Sequence, residues 1–334
     1  MKIQLRIAFA LLASVLTAQA QTPAATGNNA AFVPQTIMPG GIVQPLYPPD
    51  SPMLKKERIQ EAERYNTQGG GTGKILNVIN IHNPSIEAHL VGNAANNTGA
   101  AVIVAPGGGH KILWVGPEGA DCVPFFAEQG VSTIVLRNRL RVDGYEPRTD
   151  AVYDALQAIR LVRSHAVEWK LDPAKIGIMG FSAGAELAAG AALFYDDYEK
   201  KHSEPTDPLA KVSPRPDFVA LIYPGPSPFS QEPDTKIPAN VPPSFITCAG
   251  SGDKVHALWA TDYFSAMLKA SVPNVEMHIY GNGVHAGGLS KRGGIPFGTW
   301  QDRFNDWFRD LGFLGKPGVE TKAAAAVAAY AKKK

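Results

Sequence analysis

Two cysteines in 334 residues are too few to build a disulfide scaffold. There is no His-x-His or His-Glu-x-x-His spacing, so the sequence makes no case for a zinc site or any other metal. Nothing repeats at a fixed period, which excludes a solenoid or a propeller. Charge of one sign is also missing: 32 basic residues face 30 acidic ones. Six of the basic residues, Lys2, Arg6, Lys322, Lys332, Lys333 and Lys334, lie near the two ends, leaving 26 against 30 in the body. A mildly acidic body attracts phosphate backbones poorly, so nucleic acid is not an expected partner.

Long apolar runs are scarce. Ile7–Leu16 is too short to cross a bilayer of ~30 Å. With Lys2 and Arg6 before it and Ala18-Gln19-Ala20 after it, Met1–Ala20 reads as a secretory signal. The expectation is a periplasmic or secreted protein without stable membrane insertion. Export would permit a bond between Cys122 and Cys248, although two unpaired buried thiols is the commoner arrangement.

Residues 21–73 read as a Pro/Gly-rich N-terminal arm, with the 22–52 stretch lacking periodicity and Gly69–Gly73 forming a flexible break. Residues 74–315 carry the regular pattern, and 316–334 form a basic Ala/Lys-rich tail expected to fray. Within the regular part, strands are expected at Lys74–Ile81, Ile86–Val91, Ala101–Ala105, Val131–Leu136, Ile176–Gly180, Phe218–Tyr223, Phe245–Ala249 and Val275–Tyr280. Helices are expected at Arg148–Trp169, Ala183–Phe194, Ala257–Lys269 and Thr299–Leu311. Strands alternating with helices predict an α/β protein whose mostly parallel central sheet is covered by helices on both faces. Tyr195–Pro216, rich in charge and proline, breaks the rhythm and reads as an inserted cap or loop over the sheet edge, suited to covering a hydrated sugar.

Within the regular part four segments carry chemistry. Gly180-Phe181-Ser182-Ala183-Gly184 is a G-x-S-x-G run directly after a strand and opening a helix, the setting of a nucleophile elbow. A serine that merely caps a helix is the default at such a place, but the other required parts follow in order. Pro106-Gly107-Gly108-Gly109-His110 ends the strand Ala101–Ala105. No Lys-Ser or Lys-Thr follows, so it fits a P-loop poorly. It suits an oxyanion hole built from the amides of Gly108 and Gly109 with that of Ala183.

The base is expected in the glycine-rich loop after the last strand, where His285 lies. Of the other histidines, His256 competes because it is close to an acid, although it precedes a helix. The orienting acid is expected after the preceding strand, at Asp253. The chain order Ser182, Asp253, His285 is that of the α/β-hydrolases.

From Ala101 to Leu311 these residues resemble the α/β-hydrolase esterases, especially bacterial carbohydrate acetylesterases of the acetylxylan esterase type. The resemblance runs through APGGGH, Ile159-Arg160-Leu161-Val162-Arg163, Asp172-Pro173 with Lys175–Gly184, Arg215-Pro216-Asp217-Phe218 and Leu221-Ile222-Tyr223-Pro224. Two departures stand out. Ala185-Glu186 occupies the place where such proteins often have Gly-His, and Ala286 the place of the glycine in a His-Gly base loop.

The resemblance implies hydrolysis of short acyl esters, acetyl first, on small-molecule or oligosaccharide substrates, with no cofactor. Trp114 and Trp259 are candidate stacking faces for sugar, although a plain core tryptophan is the commoner case. Alternatives from the sequence are a general carboxylesterase, a serine peptidase, or a non-catalytic binding protein on the same fold.

Overall fold

The computed structural model describes residues 30–69, 73–204, 207–289 and 294–334. The leader at Met1–Ala20 lies outside these residues, as do 70–72 of the glycine break.

The chain builds its main sheet from eight strands: β1 (Ile42–Pro45), β4 (Ser85–His89), β5 (Ala101–Ala105), β6 (Ser132–Arg137), β7 (Ile176–Phe181), β8 (Val219–Ile222), β9 (Ser244–Ala249) and β10 (Val275–Tyr280). Their spatial order is β1-β4-β6-β5-β7-β8-β9-β10. The six strands from β6 to β10 run parallel; β4 and β1 add to the β6 edge antiparallel. β4 to β9 are buried at every residue, as a sheet covered on both faces requires.

A separate ribbon pairs β2 (Arg64–Thr67) with β3 (Ile75–Ile79). The first strand expected from the sequence therefore forms, but outside the main sheet.

The helices are α1 (Cys122–Glu128), α2 (Val152–Ser164), α3 (Ala183–Lys201), the short α4 (Pro228–Gln231), α5 (Lys254–Lys269), α6 (Trp300–Asp310) and α7 (Lys322–Ala331). One group runs α2 on α3, α3 on α4 and α4 on α5; α1 meets α6 through Phe126 and Phe304. Among the described residues no helix is long and apolar enough to cross a membrane. Cys122 and Cys248 are both free and buried, and burial pushes both thiols well above their usual range.

Three expectations are corrected. The arm is not a linker, because Ala31–Lys334 is one compact unit. β1 completes the sheet edge, Leu46, Tyr47, Leu54 and Ile59 enter the core, and Glu63 meets the buried Arg137 guanidinium, which also binds Glu87. Short strands that pair with distant partners leave little periodicity to read.

The tail is not frayed. Thr321 Oγ1 caps α7 by accepting from Ala324 N at 3.0 Å, and Ala323, Val327 and Tyr330 bury one face. Alanine repetition resembles low complexity but is also the strongest helix propensity.

Nor is Tyr195–Pro216 a cap over the site. Its first residues continue α3 with Tyr195 and Tyr198 buried, and its end leads into the N-terminal end of β8. Tyr195 lies thirteen positions along the helix from Ser182, about 20 Å along the axis.

Candidate active site

β5 and β7 are neighbours with Ala105 paired to Gly180, so the chain leaves both strands side by side at their carboxyl ends. Between β6 and β7 the strand order reverses about β5, and such a switch point opens a crevice at that edge. The glycine loop and Ser182 both emerge there.

Ser182 sits at φ 52, ψ −120, a conformation a non-glycine residue holds only when its surroundings impose it. Its N–H donates to Ile222 O at 2.9 Å, and its carbonyl accepts from Gly225 N at 3.2 Å. The flanking glycines are obligatory. A methyl at Gly180 would stand 2.1 Å from Gly184 O, and one at Gly184 would stand 2.0 Å from Ala105 O. A methyl at Gly107 would lie 2.9 Å from Ser182 Cβ, so the glycine loop abuts the serine. Among the hydrogen bonds of the described residues, the amides of Gly108 and Gly109 donate to no protein acceptor. Ala183 is the first residue of α3, where an amide has no intrahelical partner.

The structure brings the three sequence-chosen residues into one chain of hydrogen bonds. Ser182 Oγ lies 2.8 Å from His285 Nε2, and His285 Nδ1 lies 2.9 Å from Asp253 Oδ2. The Asp253 side chain is 4% exposed and that of His285 is 31% exposed. The carboxylate fixes the Nδ1–H tautomer, leaving Nε2 free to accept from the serine hydroxyl.

His256, the sequence's competitor, does not bond the serine. Its Nδ1 lies 2.5 Å from Asp253 Oδ1, and its ring stacks on His285 with centroids 3.7 Å apart and an 18° interplanar angle. Asp253 thus serves two histidines. Burial pushes the His256 imidazole below its usual range, and His285 beside it acts the same way. Trp259 stands edge-on to His256 with centroids 5.1 Å apart, one ring removed from His285. Trp114 is 39% exposed, and its main-chain N–H donates to Gly107 O at 3.1 Å.

Two acids not assigned a role by the sequence reading hold the loops together. Glu118 Oε2 accepts from Gly107 N at 2.7 Å, and its Oε1 accepts from Tyr223 Oη at 2.7 Å. Tyr223 Oη in turn accepts from Gly288 N at 2.9 Å, and its ring meets His285 edge-on. One buried carboxylate therefore joins the glycine loop, the end of β8 and the base loop. The only sequence signal was an acid between glycines in Gly116-Pro117-Glu118-Gly119.

Glu186, at the first departure from the family pattern, meets His110 Nε2 at 3.1 Å and ties the first turn of α3 to the end of the glycine loop. At the second departure Ala286 holds φ 70, in the left-handed region that favours glycine.

Two predictions follow from these contacts. Glu118→Ala deprives the Gly107 N–H and Tyr223 O–H of this acceptor, at about 1–3 kcal/mol each. Denaturant unfolding is expected to record a loss of about 2–6 kcal/mol, with Tyr223→Phe losing less; a neutral Glu118→Ala would refute the bridging role. Ala286→Gly is expected to gain about 0.5–1 kcal/mol, because relief of the left-handed strain exceeds the added entropy of the unfolded chain. A lower unfolding midpoint in that variant would contradict it.

The architecture is the α/β-hydrolase fold. Within that class the chain resembles esterases. Residues 95–221 match the BD-FAE family model. An acetylxylan esterase of Xylanibacter ruminicola is 28% identical over 244 residues, 65% of this chain and 45% of that protein. An endo-1,4-beta-xylanase B of Butyrivibrio fibrisolvens is 28% identical over 171 residues, 51% of this chain and 24% of that one. The chain thus spans less than half the length of these curated relatives. Among solved structures, the acetyl ester-xyloside bifunctional hydrolase of Caldicellulosiruptor lactoaceticus superposes with a TM-score of 0.60 at 26% identity, covering 70% of this chain and 89% of that one.

Proposed function

We propose that this chain is an exported serine esterase that removes short acyl groups, acetyl first, from hemicellulose sugars. The observation that carries the reading is Ser182 Oγ at 2.8 Å from His285 Nε2, with His285 Nδ1 held by buried Asp253.

In this mechanism His285 takes the Ser182 proton as Oγ attacks the ester carbonyl. The amides of Gly108, Gly109 and Ala183 bind the oxyanion at the positive end of α3. Imidazolium returns the proton to the departing sugar hydroxyl. Water then repeats the sequence on the acyl-enzyme, releasing acetate and restoring Ser182. No step calls for a cofactor.

Sugar preference is supported by the names of the relatives and by Trp114, a partly exposed residue whose main chain is bonded to the glycine loop. Export is supported by the leader at Met1–Ala20.

The deciding experiment measures acetate release from acetylated xylan beside a p-nitrophenyl ester series. Turnover is expected to peak at two to about four acyl carbons, the reach of a small cleft. Activity peaking at long chains, with no acetate freed from any acetylated sugar, would overturn the substrate assignment. A fluorophosphonate probe separates enzyme from binding protein: labelling that vanishes in Ser182→Ala supports the enzyme, and a folded, unlabelled wild type opposes it.

A further inference from the structure

Hydrolysis needs one histidine on Asp253, yet two converge there. The Asp253 carboxylate and one ring nitrogen from each of His256 and His285 lie within 4.8 Å of one another. The Nδ1 atoms are the nitrogens that face the carboxylate, one on each oxygen. Among the described residues no other three His, Cys, Asp or Glu side chains draw this close. The pairs His165–Glu168 and His278–Glu276 offer only two donors each. The carboxylate is buried, whereas the His256 and His285 side chains are 18% and 31% exposed.

Two imidazoles and one carboxylate, with a fourth position open to water, suit a borderline cation such as zinc rather than magnesium or calcium. Tetrahedral zinc with bonds near 2.1 Å sets its donors roughly 3.3 Å apart. The Nδ1 lone pairs lie in the ring planes, so the two rings, 18° from parallel in the stack, must tilt out of it to aim at one ion, and the two N–H···O bonds to Asp253 give way to one metal–oxygen bond.

We propose that Asp253, His256 and His285 form an inhibitory site for zinc-like cations that switches off the base. The inhibition, though not the binding, rests on the hydrolytic role given to His285 above. Each neutral ring keeps its single proton, which moves from Nδ1 to Nε2 as the metal takes the Nδ1 lone pair. In His285 that proton then points at Ser182 Oγ. The nitrogen that has to accept the serine proton has become a donor, so attack cannot begin. Chelation reverses the exchange.

Two arms test this on tag-free full chain freed of metal. In the first, zinc alone is titrated calorimetrically into Ser182→Ala, where no catalysis occurs. One zinc is expected at this site, and adding His256→Gln or His256→Phe to that background is expected to weaken binding at least about tenfold. The phenylalanine keeps a ring against His285, so loss in both variants assigns the effect to the missing donor nitrogen.

In the second arm zinc is titrated into p-nitrophenyl acetate turnover, each variant being referred to its own zinc-free rate. Wild type is expected to be inhibited and restored by EDTA, with His256→Gln requiring at least about tenfold more zinc. Equal zinc affinity with and without His256 overturns the site. Zinc that binds there without slowing hydrolysis overturns the switch. A wild type with no zinc-free turnover refutes the esterase reading, and the calorimetric arm then still decides the site.

Discussion

Ser182→Ala is expected to lower kcat on short esters by about 10⁴–10⁶-fold while the fold survives. The loss is large because the covalent step disappears and no neighbouring group replaces it. His285 keeps its bond to Asp253, and the glycine-loop amides remain available, so a small residue of catalysis by positioned water is expected. Stability is expected to change little. Alanine inherits the same left-handed backbone at φ 52, and the contacts that impose it, Ser182 N to Ile222 O and Gly225 N to Ser182 O, are main-chain bonds. Steady-state kinetics and a thermal melt on the same preparation check both statements. Turnover within tenfold of wild type would remove Ser182 from the mechanism.

Asp253→Asn is expected to cost about 10²–10⁴-fold in kcat/KM. Two effects combine. The anion that stabilises the imidazolium formed at His285 is lost, and a carboxylate that accepts on both oxygens becomes an amide that accepts on only one. Because His256 and His285 occupy the two oxygens, the amide must turn its NH2 toward one of them. Facing His285, it forces the tautomer that cannot accept the serine proton. Facing His256, it leaves His285 correctly oriented, and only the charge is missing. That second arrangement makes the lower end of the range accessible. Removing the choice by Asp253→Ala is expected to be the more damaging change. A drop below tenfold for Asp253→Asn would mean that another acid orients His285.

Neighbouring residues in the chain were enough to read much of this molecule. The alternation of apolar strands and helices marked the parallel sheet, since burial on both faces writes itself as continuous apolar runs. Gly180, Ser182 and Gly184 were legible because the elbow's crowding is local: each glycine is demanded by atoms within a few residues or by the adjoining strand. Asp253 and His285 were found by rule, as the loops after the last two strands, before any contact between them was visible.

The tertiary structure alone decided who meets whom across long separations. Ser182 and His285 are 103 residues apart, and Glu118 and Tyr223 are 105 apart. Nothing local distinguishes Glu118 from a solvated loop acid, because its role is to satisfy buried donors that arrive from two other loops. His256 looked like a rival to His285 and became its stacked neighbour, since the start of α5 and the His285 loop had to be brought together before Asp253 could be seen between them. The edge strand β1 and the helix α7 were missed for a related reason. A four-residue strand and an alanine-rich segment carry weak patterns of their own, and each is held by a partner surface that exists only once the rest of the chain has folded.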